Sequence, residues 1–139
     1  SEEWRVVYLG AAVPILTIVD MHCYDFAKAS KSKIAEWTEL SRHYLLNRSN
    51  LRRVFLLIDA RHVIKLSDEE IMCMLDNGAV SYQIVLTKID KIKNRNKKIS
   101  ETENSVKSHV AVHPVVYATS SHKETGLDDL RNEISSLVE

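Results

Sequence analysis

Two short apolar runs, Val54-Phe55-Leu56-Leu57-Ile58 and Tyr82-Gln83-Ile84-Val85-Leu86, are separated by one segment of helical pattern. Each runs straight into polar residues, Asp59 after the first and Thr87-Lys88-Ile89-Asp90 after the second. Runs without polar alternation read as strands covered on both faces. Between them, Ser67 and Glu70 have the spacing of a capping box, and Ile71, Met74 and Leu75 give one apolar face. A helix ending near Gly78 is the natural reading. Two such strands joined by a helix form a right-handed crossover and pair in parallel.

The pattern extends in both directions. Val6-Val7-Tyr8-Leu9 and Ile15-Leu16-Thr17-Ile18-Val19, the latter closed by Asp20, read as strands around a turn at Gly10 to Pro14, the makings of a hairpin. Ile34, Trp37, Leu40, Tyr44 and Leu45 recur at helical spacing and predict a helix from about Ser32 to Leu46. Ser100 and Glu103 repeat the capping spacing and predict a helix to about Val110. Val115-Val116-Tyr117-Ala118 reads as a strand ending at Thr119-Ser120-Ser121, and Thr125-Gly126-Leu127-Asp128 opens a last helix with Leu127, Leu130, Ile134 and Leu137 on one face. Strands alternating with helices imply an α/β fold with a mostly parallel sheet. Ligands of such sheets sit at the C-terminal ends of strands, where Asp20, Asp59, Thr87 to Asp90 and Thr119 to Ser121 all fall.

The 139 residues fit one domain with a buried core. Lys+Arg and Asp+Glu each number 19, so no global field argues for nucleic acid or membrane. Cys23 and Cys73 lie in unrelated segments, which argues against a disulfide framework and for a reducing compartment. The apolar stretch Val6 to Val19 is broken by Gly10, Pro14 and Thr17, too short and interrupted to span a bilayer. The start, Ser1-Glu2-Glu3-Trp4, lacks the basic-then-apolar order of a secretory signal. These features predict a cytoplasmic protein.

Thr87-Lys88-Ile89-Asp90 carries the clearest chemistry. A carboxylate at a strand end can accept two parallel hydrogen bonds, from guanine N1–H and its exocyclic amine, a donor pair adenine lacks. The lysine stem can lie over the purine. The motif alone leaves open a plain solvated strand end. One strand–helix–strand unit later, Thr119-Ser120-Ser121-His122-Lys123 stands where a small-residue loop can meet a base edge through backbone N–H groups. Both elements in this order are much harder to obtain by chance than either alone.

Several segments are shared with one family. Thr17-Ile18-Val19-Asp20, Phe26-Ala27-Lys28-Ala29-Ser30-Lys31, Leu57-Ile58-Asp59-Ala60-Arg61-His62, Ile64-Lys65-Leu66-Ser67-Asp68, Val85 to Lys91 and Thr119-Ser120-Ser121 resemble the EngB/YihA family of bacterial GTP-binding proteins. The resemblance covers Asp20 to Leu130 and implies a P-loop-GTPase-like three-layer sandwich. It also implies guanine nucleotide (GTP or GDP) and Mg²⁺ as ligands, and roles in large ribosomal subunit assembly and in cell division and septation. Carried over residue by residue, Asp90 reads guanine, Lys88 covers the base, and Thr87 and Ile89 support the loop. Thr119, Ser120 and Ser121 flank the base. Asp20 serves Mg²⁺, and Met21, His22 and Cys23 form the switch beside the γ-phosphate.

The chain also departs from that family. No Gly-x-x-x-x-Gly-Lys-Ser phosphate loop occurs, and the three glycines Gly10, Gly78 and Gly126 cannot assemble one. The resemblance therefore predicts a single, incomplete G domain over residues 1–139, lacking its first βα unit. Loss of a central strand exposes strand edges and apolar faces, which predicts marginal stability or self-association. Where the family reads Asp-x-Pro-Gly-Tyr-Gly, this chain reads Asp20-Met21-His22-Cys23-Tyr24-Asp25, and Val63 also replaces a family glycine. Cys23 places a side chain where backbone must approach phosphate, and Asp25 adds negative charge there. GTP hydrolysis is thus left open. The alternative is a degenerate or truncated interaction module of the same scaffold that binds no nucleotide.

Other features read more plainly. His22-Cys23, as neighbours in one loop, are a poor metal pair. His109 and His113, four apart, would share a face on a helix, but Pro114 and the coming strand argue that the helix has ended. Lys91 to Lys98, with five basic residues in eight, suits RNA phosphates or, better, a solvated loop and helix start. No nucleophile–base–orienter set is visible.

Overall fold

The uninterrupted apolar runs do become parallel strands. In the computed structural model, which describes residues 3–8, 14–20, 31–47 and 51–137, the chain forms two compact units that divide between Tyr44 and Leu45.

In the N-terminal unit, β1 (Glu3–Tyr8) pairs antiparallel with β2 (Pro14–Asp20), from Glu3↔Asp20 to Val7↔Leu16, with a register shift between Val7 and Tyr8. This is the expected hairpin. Helix α1 (Lys31–Leu46) begins within a residue of its expected start. Of its apolar series, Leu45 is buried while Leu40 is exposed, so that face is not all core. Trp37's side chain lies outside the described set.

The C-terminal unit carries β3 (Val54–Asp59), α2 (Leu66–Asn77), β4 (Tyr82–Thr87), α3 (Arg95–Val106), β5 (Tyr117–Ala118) and α4 (Leu127–Ser136). The sheet order is β3-β4-β5, all parallel. Register runs Val54↔Tyr82 through Asp59↔Thr87, so the polar ends of β3 and β4 lie level. Tyr82 through Leu86 are all buried, as expected for a strand flanked on both sides. Met72 and Leu75 of α2, Val106 of α3, Val116 and Ala118 complete the core. Burying side chains of this size contributes roughly 1.5–3 kcal/mol each.

Local signals placed some ends differently. Helix α2 starts before Ser67: Lys65 is the N-cap, and its backbone N–H donates to Asp68 at 2.9 Å. The capping carboxylate is therefore Asp68, not Glu70. Gly78 closes the helix as expected but in right-handed geometry, and Ala79 takes the left-handed residue at φ 54°. Gly78 instead serves close packing, since a Cβ there would sit 2.0 Å from Leu46 Cδ2. Helix α3 begins inside the basic run, because Asn94 accepts a hydrogen bond from Lys97 N–H at 3.1 Å and caps it. It ends at Val106 rather than Val110. Strand β5 has two residues, not four, and Val115 before it is exposed. In α4, Leu127, Leu130, Ile134 and Leu137 are all half-buried, the expected face.

One polar residue sits in the core. Gln83 is fully buried, accepting from Arg53 Nη1 at 2.9 Å and donating to the Val115 carbonyl at 2.9 Å. Arg53 also pairs with Glu133 of α4, whose other oxygen accepts from the Tyr117 hydroxyl at 3.2 Å. The hydrogen bond and charge of Arg53 hold the Glu133 carboxyl below its ordinary pKa against the opposing effect of burial.

Candidate nucleotide-recognition site

The site is built where β4 and β5 end. Lys88 leaves β4 in the left-handed region, φ 56° and ψ 38°, a conformation that costs a non-glycine residue about 1 kcal/mol or more. That turn winds the chain into a short 3₁₀ segment, Ile89–Lys91. Ile89 buries its side chain, and its N–H donates to the Thr119 carbonyl at 3.0 Å. Thr119 is tied back to β4, with its N–H and hydroxyl donating to the Leu86 carbonyl at 2.7 and 3.2 Å. The two loops are therefore one unit, clamped through backbone.

Within it, the Ser120 hydroxyl donates to Asp90 Oδ1 at 2.7 Å. Ser120 is buried and its oxygen also accepts from Lys123 N–H at 3.0 Å. The Ser120 hydroxyl lowers the pKa of Asp90, burial opposes, and Lys91 and His122 add positive charge nearby. Asp90 thus stands as a carboxylate with fixed orientation at the strand ends. Ser121 to Glu124 form an exposed turn, closed by reciprocal backbone bonds of 3.0 Å between Ser120 and Thr125. Gly126, at φ 73°, follows immediately. A Cβ there would lie 2.1 Å from the Ala118 carbonyl oxygen, so glycine is what lets α4 start against β5.

A second charged group lies beside the first. Asp59, at the end of β3, accepts from the Arg61 guanidinium at 2.8 and 3.1 Å and from Arg61 N–H at 2.9 Å. These bonds hold its carboxyl far below the usual carboxylate range despite some desolvation. Lys88 Nζ lies 3.4 Å from Asp59 Oδ2, with more than half of the lysine side chain exposed. Thr87 half-buries and donates weakly to the Ile58 carbonyl at 3.5 Å.

Of the residues singled out in the sequence, Thr87, Lys88, Ile89, Asp90, Thr119, Ser120 and Ser121 come together at the end of one parallel sheet. Asp20 ends β2 opposite Glu3 in the other unit. Met21, His22 and Cys23 lie outside the described residues. The Lys88–Asp59 contact and the Asp59–Arg61 pair were missed. Only the level ends of the two apolar runs hinted at them.

Comparison with known proteins gives the kinship. No family model matches the chain. It is 47% identical over 131 residues to a probable GTP-binding protein EngB of Rhizobium etli, covering 93% of this chain and 60% of the relative. To the corresponding protein of a Chelativorans species it is 51% identical over 135 residues, covering 94% and 60%. Over nearly its whole length the chain is homologous to these EngB proteins. It spans about 60% of the length of the curated EngB relatives it matches. Among solved structures it superposes on a probable GTP-binding protein EngB with TM-score 0.73 at 20% identity, covering 88% of this chain and 77% of that one. The translation elongation factor SelB of Methanococcus maripaludis matches with TM-score 0.62 at 19% identity, covering 73% and 23%. Both show the P-loop-GTPase-like α/β fold expected from the sequence. Among the described residues no helix is long and apolar enough to cross a membrane.

Proposed function

We propose that this chain supplies the guanine-recognition half of an EngB-type GTP-binding domain, of which residues 1–139 are part. The Asp90–Ser120 hydrogen bond carries the reading. It fixes an ionised carboxylate at the C-terminal end of a central parallel strand, the place where ligands of such sheets bind. Ser120 takes one oxygen of Asp90, and the outer edge of the carboxylate faces the guanine N1–H and amine. Lys88 leaves Asp59 to lie over the purine, and the backbone around Ser120 and Ser121 meets the base edge. The roles of Asp20 toward Mg²⁺ and of Met21, His22 and Cys23 as the γ-phosphate switch rest on the family resemblance alone. The family resemblance extends the reading to large ribosomal subunit assembly, cell division and septation, with the large ribosomal subunit or its precursor as partner; a cytoplasmic location and self-association through strand edges complete the reading on other grounds.

The deciding measurement is calorimetric titration with GDP, GTP and ATP. Guanine nucleotides bind and ATP does not. Absence of binding at millimolar GDP sinks the reading for this chain and leaves the non-binding interaction module.

A further inference from the structure

Helix α2 presents Glu69, Cys73 and Asp76 at intervals of four and three residues, so all three share one face of the helix. Against that face lies His109, in the turn that follows α3, where its N–H donates to the Val106 carbonyl at 2.9 Å. The histidine is not paired with His113, which instead meets Gln83 and the Val115 N–H. One donor atom from each of Glu69, Cys73 and His109 lies within 4.8 Å of the other two. His109 Nδ1 sits 2.5 Å from Asp76 Oδ2, and Nε2 sits 2.9 Å from Glu69 Oε2.

We propose that Glu69, Cys73 and His109 form a site for one divalent transition cation of the zinc class, with Asp76 as the positioning residue for the histidine. The donor set is the argument. A carboxylate oxygen, a thiolate sulfur and an imidazole nitrogen suit zinc, at metal–ligand distances of about 2.0–2.3 Å, and leave a fourth position for water. Mg²⁺ and Ca²⁺ take oxygen ligands and gain little from sulfur and nitrogen.

The second shell is already built. A metal-bound histidine ordinarily donates its other N–H to a carboxylate, which fixes tautomer and ring orientation. Asp76 does this for His109 and is itself held, accepting from Ala111 N–H at 3.0 Å and the Tyr82 hydroxyl at 3.2 Å. The imidazole is thereby turned so that Nε2 points toward Glu69 and Cys73. A tetrahedral cation between Nε2 and Glu69 needs those atoms about 3.4 Å apart, a small outward movement of a partly exposed side chain. Cys73 is a free, exposed thiol one helical turn away. On binding, the cation displaces the thiol proton and any proton on Nε2, both released to solvent. The site lies away from Asp90 and is independent of the nucleotide reading.

Two wild-type measurements and two variants test it. Equimolar Zn²⁺ should slow alkylation of Cys73 by iodoacetamide at least tenfold, and millimolar Mg²⁺ should not. Equimolar Co²⁺ should give a near-ultraviolet thiolate-to-cobalt band. Cys73→Ser should abolish that band, and Glu69→Gln should weaken Zn²⁺ binding tenfold or more, both side chains being exposed enough to leave the fold intact. An unchanged alkylation rate, equal protection by Mg²⁺, a cobalt complex without the thiolate band, or Zn²⁺ affinity unaltered in Glu69→Gln overturns the proposal.

Discussion

Asp90 and Ser120, thirty positions apart, are joined by a hydrogen bond of 2.7 Å that links the ends of β4 and β5. The serine consumes one carboxylate oxygen and keeps the side chain ionised and aimed. Base selectivity is therefore assigned to Asp90, with Ser120 holding it in place. Asp90→Asn replaces one acceptor by a donor and should reverse the preference from guanine to xanthine, with GDP affinity down by tenfold or more. Competition between GDP and XDP against a fluorescent nucleotide checks this, and unchanged preference would remove Asp90 from its assigned role. Ser120→Ala should weaken GDP binding without altering base preference.

Gly126 is the backbone counterpart of that link. Its positive φ and the 2.1 Å approach of a built Cβ to the Ala118 carbonyl leave no room for any side chain. Gly126→Ala should destabilise the protein by about 2 kcal/mol or more, read as a lower urea midpoint at unchanged m-value.

The opposite change is expected at Ala79. It holds φ 54° just beyond α2 with no compensating side-chain bond among the described residues. Ala79→Gly removes left-handed strain of roughly 1–2 kcal/mol while adding unfolded-state freedom worth roughly 0.5–1 kcal/mol. A modest rise in melting temperature should result.

Glu133 supplies a pH signature. Its carboxyl is held below the ordinary value of 4.5, first by the Arg53 hydrogen bond. A depressed folded-state pKa contributes stability that is complete above the unfolded value and fades as pH falls through the folded one. Glu133→Gln should therefore lower the melting temperature at pH 7, and the gap to wild type should narrow as pH falls below the ordinary carboxyl value of 4.5. A gap independent of pH would show that the loss is one of packing.

The sequence exposes those parts of the fold that rest on short-range pattern. The apolar run of β4 is visible because its burial is nearly uniform, whereas β3 reads as a strand from the same kind of run although Leu57 in its middle is exposed rather than covered. Ends are less visible, because they depend on single hydrogen bonds. Ser67 looks like a cap, yet Asp68 reaches back to Lys65 first. Asn94 caps α3 within the basic run, ahead of the Ser100 start that the capping spacing suggests. At the site, the two motifs and their order are legible, but the left-handed turn at Lys88 is not, since lysine carries no marker for positive φ. His109 is hidden for another reason. Its partners Glu69 and Asp76 are 40 and 33 residues away, and nothing local announces them.

Gln83 has a consequence for folding. A strand whose neighbours are all aliphatic or aromatic can slide by two residues and still present oil to oil, so hydrophobicity alone leaves its alignment loosely specified. The buried amide of β4 removes that freedom. Only one alignment brings it to the Arg53 guanidinium and the Val115 carbonyl at once. Every slipped pairing strands a polar group in the interior, at about 1–3 kcal/mol. The amide acts as an address, ensuring that when β3 and β4 zip together Asp59 and Thr87 finish side by side.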